Sequence, residues 1–358
     1  MPYMKLIKGF VNTLLVIAII AVVGAGVGIV YLTVNEYSPD SVETVEVFGS
    51  PTTEVAAGDK IMVMTYNIGF GGKYDSQEYY ADGGAVMNAG SSSLVSDHLD
   101  EMIKLCVDRK AHVNFFQEVD VDSKRSFSID EASLLSSKIP GRASSFANDY
   151  ICAWVPVPPT GFVGRIESGS LTLTRFGADS AERRTITDGS AWPASTWSRK
   201  PCLLVDRVKL GDSTKELVLI NLNFEKYDDG SVRKAQYTEL CEFMQLEYAN
   251  GNYVIAGGSF NAVLPSVDKS KNESEAAGNF TPVDLSTENL TGGWKYCTDD
   301  STPTMRLMDQ SFNENSSVYV VDGFITSPNT IVENTQTIDA QFHYSDHNPV
   351  VTQVTLVK

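Results

Sequence analysis

The chain has 358 residues, 42% of them hydrophobic, and a formal net charge of −17 with a sequence pI near 4.6. That length can bury a large core, and it allows one or two domains. The acidity disfavours nucleic acid as partner, because phosphate neutralisation supplies most of the affinity for such polyanions. Lys124-Arg125, Arg183-Arg184 and Arg199-Lys200 are thin candidates for a local basic patch.

From Gly9 to Asn35 there is no charged residue, and Leu14–Leu32 is almost entirely Val, Ile, Ala, Leu and Gly. A helix there is long enough to cross a hydrocarbon core of roughly 30 Å. The run is too long for the apolar region of a cleaved signal peptide, and no clear small-residue cleavage site follows it. Lys5 and Lys8 before it, with Glu36, Asp40, Glu43 and Glu46 after it, orient the N-terminus toward the cytoplasm. The expected organisation is a cytoplasmic N-terminus at 1–9, a transmembrane signal anchor at 10–34, a stalk at 35–59 and one extracellular domain at 60–358. Val42–Phe48 could add a short strand, and Gly24 and Gly28 are spaced as in helix-packing GxxxG pairs.

Within the domain, Ile61–Asn67 and Val113–Gln117 read as short buried strands, separated by a Gly-rich loop, 69–90, and a helix over Ser93–Lys110. That helix carries Val95, Leu99, Met102, Ile103 and Cys106 on one face. Leu171–Arg175, Cys202–Lys209 and Glu216–Leu222 follow as strands, the last two joined at Gly211-Asp212-Ser213. Ser231 is the expected N-cap of a helix running through Tyr248. Tyr253–Ala256, Val318–Ile325 and Pro349–Val357 complete a pattern of strands with interspersed helices, which suggests a layered α/β sandwich. The five cysteines are scattered, without a zinc-type pair, and read as buried thiols.

Polar residues close the strand-like runs. Asn67 ends the first, Gln117-Glu118 the second, and Asp322 follows Val318–Val321; Asp346-His347 lies just before the last run. Singly, each reads as a turn or surface residue. Together they suit phosphoester chemistry, in which a cation meets a phosphoryl oxygen and a base aligns water. A hard ion such as Mg²⁺ takes oxygen ligands. On that reading Glu118 and Asp346 are ligands, His347 pairs with Asp322, and Asn67 and Asn261 add neutral contacts.

Thr65-Tyr66-Asn67-Ile68, Gln117-Glu118-Val119, Asn221-Leu222-Asn223, Gly257–Asn261, Val321-Asp322-Gly323 and Ser345–Val350 together resemble the endonuclease/exonuclease/phosphatase superfamily, and within it bacterial membrane-anchored members. The resemblance implies a four-layer α/β/β/α sandwich of the deoxyribonuclease-like type, with its site where strand ends converge. It implies that Asn67, Glu118 and Asp346 hold Mg²⁺ or Mn²⁺. It further implies that the catalytic set comprises His347, Asp322 and Asn261, with positions 223 and 259.

Two positions depart from that pattern: Asn223 stands where the family has histidine, and Ser259 where it has aspartate. Asparagine donates a hydrogen bond but has no titratable proton, and serine is a poor base. No neighbour in sequence obviously replaces them, although Glu225, Asp268 and Asp284 are within range. The expectation is a domain that binds a phosphorylated small molecule or lipid headgroup, with hydrolysis attenuated or lost. The alternative is an active metal-dependent phosphodiesterase or phosphatase.

Overall fold

A computed structural model describes residues 2–358 apart from 52, 159–160, 212 and 273, and without the side chains of 2–6 and 272. Asp212 of the expected turn therefore lies outside the described residues. The first helix, α1 (Pro2–Val34), contains Ile7–Val34, a segment long and apolar enough to cross a membrane, with a mean hydropathy of 2.8.

The strands in chain order are β1 (Val42–Val45), β2 (Val47–Phe48), β3 (Lys60–Asn67), β4 (Val113–Asp120), β5 (Ala143–Val155), β6 (Gly164–Thr174), β7 (Ser180–Thr185) and β8 (Cys202–Lys209). They continue with β9 (Glu216–Asn223), β10 (Tyr253–Ser259), β11 (Lys295–Cys297), β12 (Met305–Arg306), β13 (Val318–Tyr319), β14 (Asp322–Thr326), β15 (Thr330–Thr337) and β16 (Val350–Leu356). One sheet runs β1-β7-β8-β9-β10-β14-β11 and a second β15-β16-β3-β4-β6-β5-β2, while β12 and β13 pair in a small third sheet. Helices α2 (Ser92–Arg109) and α3 (Glu131–Lys138) cover the second sheet, and α4 (Ser231–Ala249) covers the first. This is the four-layer sandwich that the sequence motifs imply.

The layers follow from period-two alternation along buried strands. Ile61 and Val63 of β3, Val113 and Phe115 of β4, Leu217 and Leu219 of β9, and Ile255 and Phe324 meet between the sheets. The intervening Met64, Tyr66 and Phe116 pack outward on Leu99 and Met102 of α2, while Val218, Ile220 and Val254 pack on Leu240 and Met244 of α4. Continuing the inward rows by twos gives Thr65 and Asn67, Gln117, Asn221 and Asn223, Ser259 and Asp322. The interior thus turns from apolar to polar at one end.

Asn221 stitches that transition across the two sheets. Its Oδ1 accepts from Gln117 Nε2 at 2.7 Å, and its Nδ2 donates to the Phe116 and Leu171 carbonyls at 3.2 and 3.1 Å. Its role is to hold the sheets together beneath the site.

Several boundaries differ from the sequence reading. Part of the expected stalk belongs to the sandwich, because β1 pairs with β7 and β2 with β5. Helix α4 is capped by Gly230 rather than Ser231, and the Asp228 carboxylate takes the Gly230 and Val232 amides at 2.8 Å each. The run expected as one strand over Val318–Ile325 splits into β13 and β14, which lie in different sheets. All five cysteines are buried and free.

The end of α1 leans on the domain. Leu32 packs with Cys152, Val155, Val163 and Ile166, and Trp192 Nε1 donates to Thr33 Oγ1 at 3.1 Å. Beside this junction Trp154, Val157, Phe162 and Trp192 stay exposed.

Candidate functional site

The polar strand ends converge on one hydrogen-bonded chain. Asn67 Nδ2 donates to Glu118 Oε1 at 3.1 Å and approaches Ser259 Oγ at 3.4 Å. Ser259 Oγ donates to Asp322 Oδ1 at 2.6 Å, and Asp322 Oδ2 meets His347 Nδ1 at 2.8 Å. The expected His347–Asp322 pair is therefore formed, and it leaves Nε2 as the other ring nitrogen.

Strict alternation would send Glu118 to the helix side, one residue after the inward Gln117. A bulge between Phe116 and Val119 in the β4–β6 pairing, with Glu118 at φ +53°, re-aims it into the site. Asn261, at φ +49°, makes the turn out of β10, a conformation that asparagine tolerates better than most side chains. Gly258 permits the close approach of β10 to β9, since a Cβ there would sit 1.9 Å from the Leu222 carbonyl oxygen. That approach aligns Asn223 with Ser259, and Ser259 with Asp322, in register.

Lysines occupy what the sequence reading assigned to a cation. Lys73 Nζ lies 2.8 Å from Glu118 Oε2 and 3.5 Å from Asp346 Oδ2. Lys226 Nζ lies 3.1 Å from Asp82 and 3.7 Å from the same Asp346 oxygen. All these groups but Glu118, which is partly exposed, are buried. Burial opposes the charge on Lys73, yet Asp346 and Glu118 outweigh it and hold the ammonium above its ordinary range. Burial likewise pushes Asp346 and Glu118 upward, but Lys73 foremost holds both below the usual carboxylate range. Burial works against a charge on His347 too, and Asp322 and Asp346 raise it overall.

Magnesium was expected on Asn67, Glu118 and Asp346, and the residues present do not fit it as they are placed. Asn67 turns its amide nitrogen toward Glu118, while its Oδ1 accepts from the Gly69 amide at 3.0 Å. A divalent ion at about 2.1 Å from Asp346 would stand beside two ammonium groups. Among the described residues no group of three or more His, Cys, Asp or Glu is arranged to hold a metal. Among the expected ligands Asp346, whose oxygens make no hydrogen bond, suits a metal best.

Both amide atoms of Asn223 and the Oδ1 of Asn261 are buried without a partner. Such groups are rare in native interiors, where a water, an ion or a ligand ordinarily satisfies them. Asn261 lines a pocket of about 330 Å³ together with Lys73, Arg125, Arg199 and Lys226, with Glu118, Asp149, Glu225 and Asp228, and with Tyr79, Tyr150, Trp197 and Tyr227. Arg125 is held bidentate on Asp120 at 3.0 and 2.8 Å, and Arg199 on Asp149 at 2.6 Å. Tyr227 and the Met308 amide donate to Asp82 at 2.8 and 3.0 Å, which fixes the carboxylate behind Lys226.

The sequence reading missed Lys73, Lys226 and Asp82. A lysine in a Gly-rich loop or next to a tyrosine ordinarily reads as solvated. Glu225 reaches the pocket, but its Oε1 accepts the Lys226 and Tyr227 amides at 3.0 Å each. Asp268 and Asp284 are surface groups, the first hydrogen-bonded to Ser270 and the second ion-paired to Lys269. They do not replace the absent aspartate. Of the basic pairs, Arg125, Arg184, Arg199 and Lys200 are each ion-paired within the chain, Arg183 is buried, and Lys124 is exposed.

No protein-family model and no curated protein matches the sequence. Solved structures do. An endonuclease/exonuclease/phosphatase from Beutenbergia cavernae DSM 12333 superimposes with a TM-score of 0.58 at 13% identity, over 83% of this chain and 72% of that one. An endonuclease/exonuclease/phosphatase family protein from Leptotrichia buccalis C-1013-b gives 0.52 at 13% identity, over 82% and 99%. TDP2 from C. elegans gives 0.51 at 14% identity, over 84% and 77%. At such identities the likeness is one of architecture, and it agrees with the layers and strand ends described above. The chain carries the α/β sandwich fold of the endonuclease/exonuclease/phosphatase proteins.

Proposed function

We propose that the domain binds a phosphorylated ligand at this pocket with phosphoester hydrolysis attenuated or lost, and that α1 anchors it with the domain outside the cytoplasm. The observation that carries the reading is the pair Asn223 and Ser259. The first offers an unpartnered amide, and the second spends its hydroxyl on Asp322. An amide can donate to a phosphoryl oxygen, but neither residue moves a proton at neutral pH. Loss of acid–base assistance costs about 10²–10⁴ in rate, and loss of an oxyanion-type donor about 10²–10³.

Lys73, Arg125, Arg199 and Lys226, balanced in the lining by Glu118, Asp149, Glu225 and Asp228, support a phosphate as the recognised group, since ammonium and guanidinium make charge-assisted bonds to its oxygens. A lipid headgroup is favoured among phosphate carriers by the position of the pocket. Met87, Tyr150 and Trp197 line it and also pack on the cluster that receives Leu32 of α1.

The competing reading, an active metal-dependent phosphodiesterase or phosphatase, draws on the intact His347–Asp322 pair. A panel of phosphomonoesters, phosphodiesters and phospholipid vesicles, with Mg²⁺ or Mn²⁺ added, separates the two. Binding without turnover is expected. Metal-dependent turnover that disappears in His347→Gln would overturn the binding-only reading.

A further inference from the structure

We infer that Lys73, backed by Lys226, stands in the place of a divalent cation, so that the pocket takes a phosphate oxyanion without metal. The inference rests on the phosphate-binding reading above and adds what supplies the positive charge. Two ammonium groups, 3.5 and 3.7 Å from the same Asp346 oxygen, bring it the same formal charge as one divalent ion.

The placement of Lys73 is built into the fold. Its amide closes the Gly69–Gly71 turn by donating to the Gly69 carbonyl at 3.3 Å. Gly69 has φ +52°, and a Cβ there would stand 2.9 Å from Lys73 Cβ and 3.1 Å from Asp346 Oδ1. Only a glycine leaves room for the lysine stem beside the aspartate. The ammonium then lies 4.8 Å from the Tyr79 ring centroid and 5.7 Å from that of Phe70, which adds cation–π attraction. Asp82 is held by Tyr227 and the Met308 amide and in turn holds Lys226. Both lysines line the cavity, whereas Asp346 lies behind them.

The chemistry differs from that of a metal in one respect. An ammonium donates hydrogen bonds to a phosphoryl oxygen as a compact point charge. It does not take water as a ligand and lower its pKa, so it provides binding without generating a nucleophile. This agrees with the absence of a base at Ser259.

The test uses the full chain in detergent micelles. Mn²⁺ binding is read from the free-ion electron paramagnetic resonance signal, and inorganic phosphate binding from the shift in melting temperature with and without EDTA. Wild type should leave Mn²⁺ free at millimolar concentration and keep its phosphate shift in EDTA. Lys73→Met, which frees Glu118 and leaves Asp346 facing only Lys226 at 3.7 Å, should bind Mn²⁺ roughly tenfold or more tightly than wild type, and Glu118→Gln added to it should abolish that binding. Mn²⁺ should raise the melting temperature of Lys73→Met and leave that of wild type unchanged. Wild-type Mn²⁺ binding as tight as that of the variant, or a phosphate shift abolished by EDTA, would overturn the inference while leaving phosphate recognition standing. A missing phosphate shift together with Mn²⁺ exclusion would remove phosphate recognition and still support the lysines in the cation's place. Should Lys73→Met fail to fold, the wild-type titration and the EDTA arm decide alone.

Discussion

Ser259 and Asp322, facing each other in register on β10 and β14, share a 2.6 Å hydrogen bond in which the hydroxyl donates to the carboxylate. The bond gives one Asp322 oxygen a neutral donor. An aspartate at position 259 would instead set one carboxylate against another.

Ser259→Asp is therefore expected to destabilise the domain by roughly 1–3 kcal/mol at neutral pH, through an unsatisfied buried charge and like-charge repulsion. Ser259→Ala should cost less, because Asp322 keeps His347. Chemical denaturation of the two variants checks the order. A Ser259→Asp protein as stable as wild type would mean that a cation already neutralises this corner.

The strand ends were legible because buried strands announce themselves: Ile61–Asn67 and Val113–Gln117 are apolar runs cut off by a polar residue, and period two carries those residues inward. Position 118 was legible only as chemistry, since nothing in the letters signals the bulge that turns Glu118 into the site. Lys73 and Lys226 were illegible for a different reason. Their burial depends on Glu118, Asp346 and Asp82, which are remote in sequence. The strand β7 was missed because Arg183 and Arg184 look solvent-facing, whereas Arg183 is buried and donates to the Asn148 and Lys200 carbonyls.

Asp206 on β8 makes stability pH-dependent. It is buried between the sheets with Ser145 Oγ donating to it at 2.6 Å, and burial pushes its carboxyl from the ordinary 3.8 up to about 7. The folded chain keeps a proton that the unfolded chain releases, so this stabilisation is complete below the unfolded value. It is lost as pH rises through about 7. Asp206→Asn should be more stable than wild type at pH 8 by on the order of 2–4 kcal/mol, and nearly equal to it at low pH. Urea melts of both proteins at the two pH values would test this. Parallel curves across the range would mean that Asp206 keeps an ordinary affinity for protons.

The aromatic collar beside α1 predicts where the domain meets lipid. Trp154 and Trp192 are exposed near the end of an apolar helix, while Trp294 is buried against α4. Indole rings favour the membrane–water interface. In proteoliposomes containing brominated lipids, tryptophan fluorescence should be quenched, and Trp154→Phe with Trp192→Phe should remove most of the effect. Unchanged quenching in the double variant would place this face away from the bilayer.

Asn223 and Ser259 together remove the titratable groups that hydrolysis would need. If only the proton-transfer groups were missing, Asn223→His with Ser259→Asp would restore phosphoester hydrolysis by itself. With Lys73 and Lys226 against Asp346, it should not, because the ammonium groups still exclude the ion that would activate water. Adding Lys73→Ala and Lys226→Ala opens the carboxylates and relieves the repulsion at position 259 once a divalent ion enters. Mg²⁺-dependent turnover should then rise by about 10² or more over the His/Asp pair alone, a strongly non-additive result for groups that act as a unit. Full activity from Asn223→His with Ser259→Asp alone would show that the lysines yield to metal without hindrance. Their place in the site would then be incidental to its chemistry.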